Sequence, residues 1–281
     1  MANSWRRVLG AAIGTAAEAF VDAAGRAFET ERLPPDDHRP WPVPDAPWAM
    51  TQAWSDVLFA HGSVRASALR PHVPAGLRLE TWRGSAWVGI TAFVVTGARL
   101  RGLPAVPGFA DFAEVNVRTY VTAGGKPGVY FFSLDAGSAL TVMSAWAWYA
   151  LPYFFADARL VATGDRLTVT SRREHAGAPP AELEAHYRPI GGVSRPARTG
   201  FERWLVERYG AYTVDDGALV RAELHHAPWP LQRAEVAIER NTLFAAAGLD
   251  VTGPPRIAHY SSGVETVAWA PVTSSPATRS A

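Results

Sequence analysis

The stretch Phe112-Ala113-Glu114-Val115-Asn116-Val117-Arg118-Thr119-Tyr120-Val121 concentrates the chemistry of this chain. Side chains alternate across a β-strand, so Glu114, Asn116, Arg118 and Tyr120 share one face and Val115, Val117, Thr119 and Val121 the other. Glu114 can carry a proton as a catalytic acid or base, Arg118 can fork onto a carboxylate, and Asn116 and Tyr120 can orient what is held. Pattern alone leaves two placements open for that face. It is either the solvated outside of an antiparallel sheet, the commoner construction, or the interior of a barrel, where the same groups would grip a ligand.

Other constellations are weaker. His225-His226 cannot both reach one ion from a strand, because neighbours point to opposite faces, and no helical His-x-x-x-His pair exists, so no metal site is expected. His225 is kept as a substrate-binding candidate; the structural alternative buries one imidazole and turns the other to solvent. His61 reads as structural, with a role in the cavity as the lesser alternative. Ser133 and Asp135 simply share a strand face, and without a Gly-x-Ser-x-Gly elbow they do not suggest hydrolysis. No Walker loop or Gly-x-Gly-x-x-Gly fingerprint is present, so no cofactor is expected.

The elements that must position these groups are mostly strands. Period-two alternation predicts strands over Ala86–Val95, Val115–Val121, Val129–Leu134 and Leu167–Ser171. The second and third are joined by Ala123-Gly124-Gly125-Lys126-Pro127-Gly128, whose glycines supply the positive φ a hairpin turn needs. Helices are predicted over Ser138–Tyr149 and Phe201–Tyr209, the latter with Phe201, Trp204, Leu205 and Tyr209 on one face. The fold class is therefore α+β and β-dominated, with antiparallel strands and a few flanking helices.

Around that domain, residues 1–32 read as an amphipathic leader helix, 33–47 as a Pro-rich linker, 48–271 as a single domain and 272–281 as a disordered tail. Glu18 and Asp22 interrupt the apolar run behind Arg6 and Arg7, which argues against an exported or membrane-spanning leader and for the cytoplasm. The chain has 281 residues, 11 Trp, no Cys and a net charge of +1, which excludes disorder, disulfides, thiolate metal sites and the basic footprint of a nucleic-acid binder.

Several segments resemble successive motifs of the YqjF-like family of uncharacterised conserved proteins (domain-of-unknown-function family 2071). They are Phe59-Ala60-His61, Leu69-Arg70-Pro71-His72-Val73-Pro74, Phe112 to Val121, Gly128 to Asp135, Leu151-Pro152-Tyr153, Val206-Glu207-Arg208-Tyr209 and His225 to Leu231. That family is similar to the acetoacetate decarboxylase superfamily, which implies an acetoacetate-decarboxylase-like β-barrel with an internal cavity and turns the Glu114 and Arg118 face inward. The superfamily's Schiff-base chemistry needs a lysine with a depressed pKa, and the sole lysine, Lys126, sits between Gly125 and Pro127 in the predicted hairpin turn, where solvent keeps an amine protonated. The resemblance thus implies a small-molecule-binding protein, either a lysine-independent lyase or isomerase acting on a small carboxylic or keto acid, or a non-catalytic module for a hydrophobic metabolite. A buried Arg208 would brace a carboxylate such as Glu114 or Glu223. The expected partner is an anionic or hydrophobic small molecule, with neither nucleic acid nor membrane, and a homo-oligomer is an open option.

Overall fold

The computed structural model describes residues 33–103, 111–139, 150–197 and 199–274. The strands are β1 (Met50–Val64), β2 (Arg78–Leu79), β3 (Ala86–Leu100), β4 (Phe112–Ala123), β5 (Lys126–Ala136), β6 (Tyr153–Thr163), β7 (Arg166–Arg173), β8 (Glu182–Ser194), β9 (Gly210–Asp215), β10 (Ala218–His226), β11 (Leu231–Asn241), β12 (Ile257–Ala268) and β13 (Val272–Ser274). Three short helices accompany them: α1 (Ala66–Leu69), α2 (Phe201–Val206) and α3 (Leu243–Ala246). The strands form one sheet in the order β13-β10-β9-β5-β6-β7-β8-β11-β12-β1-β3-β4-β2. Further pairings of β4 with β5 and of β10 with β12 join distant members of that order, so the sheet curls back on itself into a partial ring. Most pairs are antiparallel; β5 runs parallel to both β6 and β9.

All four predicted strands are present, three running past both predicted ends and the first, from Ala86, past its C-terminal end only. The β4–β5 hairpin turns on Gly124 (φ 56°) and Gly125 (φ 75°), with Ala123 opposite Lys126. These φ values at both central residues are the requirement of a tight hairpin turn that only glycine meets without strain. The predicted helix at Phe201 stops at Val206 rather than Tyr209. Glu207 leaves the helix because its carboxylate is taken up internally by the Tyr209 hydroxyl and the Trp229 backbone N–H. The predicted helix Ser138–Tyr149 falls largely outside the described residues, as does the predicted leader helix 1–32.

Two departures concern the flanks. The Pro-rich segment 33–47 lies against the domain as a strap: Arg39 and Trp41 both donate to the Glu223 carboxylate, and a His38 ring nitrogen meets the His226 carbonyl at 2.8 Å. Val272–Ser274 add an edge strand to β10 instead of fraying, because the β10 edge offers unpaired backbone groups there.

The central strands β1, β3 and β4 are covered on both faces. Leu58, Val88, Ile90, Val115 and Val117 point into an aliphatic core shared with Val169, Leu183 and Ala185 of the β7–β8 layer. The opposite faces carry Phe59, Phe93 and Tyr120 against Leu205 of α2 and Trp229. Burial of alternate β4 residues on both sides, from Phe112 to Thr122, is what puts its polar face inside the molecule. An all-apolar face would make an ordinary core; this one does not.

Candidate functional site

Register builds the site. β4 pairs with β3 so that Glu114 lies opposite Phe93, Asn116 opposite Thr91 and Arg118 opposite Gly89. β1 pairs with the other edge of β3, setting Phe59 opposite Thr91 and His61 opposite Gly89. Residues directly opposite share a face. His61, Gly89 and Arg118 thus form one cross-strand row, and Phe59, Thr91 and Asn116 the next.

All four β4 candidates are buried, with relative exposures of 4% for Glu114, 3% for Asn116, 9% for Arg118 and 0% for Tyr120. The interior placement therefore replaces the solvated one. Glu114 and Arg118 do not pair with each other, since four strand residues span about 13 Å. Glu114 instead accepts hydrogen bonds from the Tyr153 hydroxyl on β6 (2.9 Å) and from Asn116 Nδ2 (3.3 Å). Burial pushes the Glu114 carboxyl up to about 7, against the pull of those two donors. At neutral pH such a group both gives and takes a proton readily.

Arg118 is the anomaly. Among the described residues no carboxylate lies within ion-pairing distance of it; its Cζ sits 5.4 Å from the centre of the Phe59 ring. Burial lowers its pKa; the Tyr120 phenol, through charge interaction and a side-chain hydrogen bond, opposes that shift, while the Arg208 guanidinium adds to it. Among the described residues its Nε and Nη2 have no hydrogen-bond partner. Those two donors lie along one edge of the planar guanidinium, the edge that receives a carboxylate side-on with two parallel bonds. Around it, both ring nitrogens of His61, Thr91 Oγ1 and Asn116 Oδ1 are also buried without partners among the described residues. A buried polar atom left unbonded costs about 1–3 kcal/mol, so a concentration of them on one face marks a place built for something polar to arrive.

The lid of this face is aromatic. Trp204 of α2 lies 4.6 Å from Tyr120 and Phe201 lies 4.7 Å from Trp87, between ring centres. Arg208 pins that helix by donating to the Trp204 carbonyl and pairing with Glu80 at 2.7 Å. The Arg208 brace anticipated on Glu114 or Glu223 is thus formed, on Glu80. Glu223 is held by Arg39, Lys126 and Arg221.

Not every candidate joins the site. His225 Nε2 meets the Pro34 carbonyl at 3.0 Å and its ring stacks on His38, so the strap occupies it and no described contact links it to Glu114, Asn116 or Arg118. His226 is buried as well, its pKa lowered by burial to about 3, which corrects the reading that one of the pair faces solvent. The strap buries what would otherwise be the outer imidazole. Lys126 begins β5 rather than sitting in the turn; its Nζ contacts Glu223 at 2.7 Å and lies over the Trp41 ring, away from the β4 polar face. An open recess of about 710 Å³ beside Arg70, Gly76 and Thr122–Gly125 borders the β4–β5 turn and not the Glu114–Arg118 face. Among the described residues no three metal-ligating side chains gather, and no helix is long and apolar enough to cross a membrane.

Sequence reasoning missed Thr91 as a site residue and gave His61 a cavity role only as the lesser alternative. The only signal for His61 was its two-residue spacing from Phe59 on a strand, which places both on one face. Which face that was depended on pairing with β3.

Comparison with known proteins gives the chain a family and a fold. Residues 51–265 match the family DUF2071, described as an uncharacterized conserved protein (COG2071). Over 227 residues the chain is 42% identical to the uncharacterized protein YqjF of Bacillus subtilis (strain 168), covering 81% of this chain and 93% of YqjF. Among solved structures it is similar to the acetoacetate decarboxylase of Legionella pneumophila, with a TM-score of 0.59 and 12% identity over 88% of this chain and 98% of that one. An acetoacetate decarboxylase-like enzyme from Sphingomonas wittichii RW1 gives 0.58 and 14%, over 85% and 98%. The enduracididine biosynthesis enzyme MppR, complexed with pyruvate, gives 0.55 and 14%, over 85% and 94%. At these identities the structural matches establish the acetoacetate-decarboxylase-like fold alone. By its family match and its identity to YqjF, the chain belongs to the uncharacterized conserved protein family DUF2071.

Proposed function

We propose that this protein binds a small carboxylic or keto acid on the inner face of β4 and that Glu114 moves a proton of the bound molecule. The observation that carries the reading is Arg118: a buried guanidinium with no acidic partner among the described residues and its side-on edge unbonded. A carboxylate arriving there would satisfy Nε and Nη2 together, with the charge-assisted bonds that only an anion supplies. The neighbour MppR is described as complexed with pyruvate, a keto acid, which is consistent with an anion of that size in this fold.

From the Arg118 end, Asn116 would orient the molecule along the strand toward Glu114, with Tyr120 closing the opposite side of Arg118. A Glu114 carboxylate within reach of a carbon next to a carbonyl would take its proton, leaving the electron pair on the carbonyl oxygen as an enolate, and return the proton to the same or a neighbouring carbon. That is isomerase chemistry without an imine, and where the neighbouring carbon carries a leaving group the same enolate would expel it as a lyase does, in keeping with Lys126 being held by Glu223. A second reading, a binding module without turnover, is favoured by the aromatic lid of Trp87, Phe201 and Trp204, which suits a hydrophobic ligand.

The test is solvent deuterium exchange. Wild-type protein in D2O with pyruvate or 2-oxobutanoate should speed incorporation of deuterium next to the carbonyl, followed by proton NMR, and Glu114→Gln should reduce that rate at least a hundredfold while keeping affinity within about tenfold. Equal exchange by both proteins removes Glu114 from the chemistry. Binding without exchange in wild type moves the protein to the second reading.

A further inference from the structure

The row His61, Gly89, Arg118 contains a group the proton chemistry above leaves unused. Gly89 lies between two polar residues on the strands either side, and its lack of a side chain is required. A Cβ built there would lie 2.8 Å from His61 Cδ2, 3.2 Å from His61 Nε2 and 3.6 Å from the Tyr120 hydroxyl. The Nε2 edge of the imidazole and the phenol therefore lean over the Gly89 Cα, with Arg118 on the next strand. Adjacent strands are about 4.8 Å apart, so His61 and Arg118 start about 10 Å from each other and reach inward over the same glycine.

His61 is fully buried and, among the described residues, neither ring nitrogen has a partner. Burial, Arg118 and His259 all oppose its protonation, and the remaining neighbours facing it, Phe59 and Tyr120, supply no negative charge. A neutral imidazole carries one N–H and one lone pair, and beside a guanidinium it gains most from an oxygen held in place by that guanidinium. A carboxylate seated on the Arg118 edge would present, on its adjacent carbon, whatever substituent the molecule has there to the imidazole edge of His61 that covers Gly89. An oxygen on the next carbon along would pass beyond the row, toward Thr91 and Asn116.

Resting on the reading of Arg118 as the carboxylate anchor, we infer that His61 hydrogen-bonds an oxygen on C2 of the bound acid, so that the ligand class is 2-oxo or 2-hydroxy acids rather than 3-oxo acids. His61 donates to a 2-oxo group or accepts from a 2-hydroxyl through the same nitrogen edge, depending on tautomer. It is a specificity-determining residue, distinct from the proton carrier Glu114.

Calorimetric titration with butanoate, 2-oxobutanoate, 2-hydroxybutanoate and 3-oxobutanoate reads this directly. Wild type should bind at least one C2-oxygenated acid tenfold or more tightly than butanoate, and 3-oxobutanoate no better than butanoate; whichever of the 2-oxo and 2-hydroxy acids binds tighter identifies the oxidation state. His61→Phe should erase the preference while holding butanoate affinity within about threefold. Should that variant not fold, nitrogen-15 histidine NMR of wild type replaces it, and the His61 Nε2 signal should move with the preferred acid and not with butanoate. Butanoate bound through Arg118 with no C2 preference, a preference for 3-oxobutanoate, or a preference that survives His61→Phe overturns this inference and leaves the anion site standing. Failure of every acid to bind, or equal binding by Arg118→Met, removes the anion site and this inference with it.

Discussion

Replacing Glu114 by Gln should make the protein more stable, and by an amount that depends on pH in a known direction. The Glu114 carboxyl moves from an ordinary 4.5 to about 7 on folding because burial disfavours its charge. Between those values the folded chain holds a proton that the unfolded chain has lost, so wild-type stability falls as pH rises from about 4.5 and levels off above about 7. The full difference corresponds to about 3 kcal/mol at about 1.4 kcal/mol per pH unit. Gln cannot ionise and keeps the local bonds: its carbonyl accepts from Tyr153, and a flipped Asn116 offers its unpartnered Oδ1 to the new amide. Urea unfolding of both proteins from pH 4.5 to 9 isolates the effect, because every other titrating group cancels in the difference. The stability of Glu114→Gln relative to wild type should grow by about 3 kcal/mol across that range. A difference that stays flat, or that shrinks as pH rises, would refute the assignment of a raised carboxyl at this position.

Further outcomes follow from the same packing. Arg118→Met, which fills similar space without the charge, should leave the unliganded protein as stable or up to about 3 kcal/mol more stable in urea, because it removes two unbonded donors; a loss of that size would make Arg118 a structural brace. Gly89→Ala should cost about 1–3 kcal/mol and weaken acid binding by tilting His61, whose Cδ2 would lie 2.8 Å from the new Cβ. Asp135→Ala should cost about 3–5 kcal/mol, since it strands the buried Arg173 that now makes two bonds to that carboxylate at 2.6 and 2.8 Å; an unchanged unfolding midpoint would contradict the burial of that pair.

Much of the fold and the heart of the site were legible because their signals are local. Alternation from Phe112 to Val121 announces both the strand and the shared face of Glu114, Asn116, Arg118 and Tyr120, and Gly124-Gly125 announces the turn that follows. What alternation cannot tell is which face is inside, because a strand covered on both sides alternates as well as one covered on a single side. Here the second cover is α2 with Trp204 and Arg208, reached across the ring from Glu80 on the segment before β3. His61 was ranked as structural for the same reason: its place in the site rests on lying opposite Gly89, a long-range register with no local mark. His225 was overvalued because nothing within its own segment shows that Pro34 and His38, nearly two hundred residues earlier, close over it.

The role of Arg118 as the anchor of an anionic ligand meets its most direct test in a calorimetric titration of pyruvate and 2-oxobutanoate into wild type and Arg118→Met at pH 7. Two charge-assisted bonds on one guanidinium edge are together worth about 3–5 kcal/mol, so the variant should bind at least a hundredfold more weakly, with its own unfolding midpoint intact. Binding of equal strength by both proteins would contradict the claim that the inner face of β4 is an anion site.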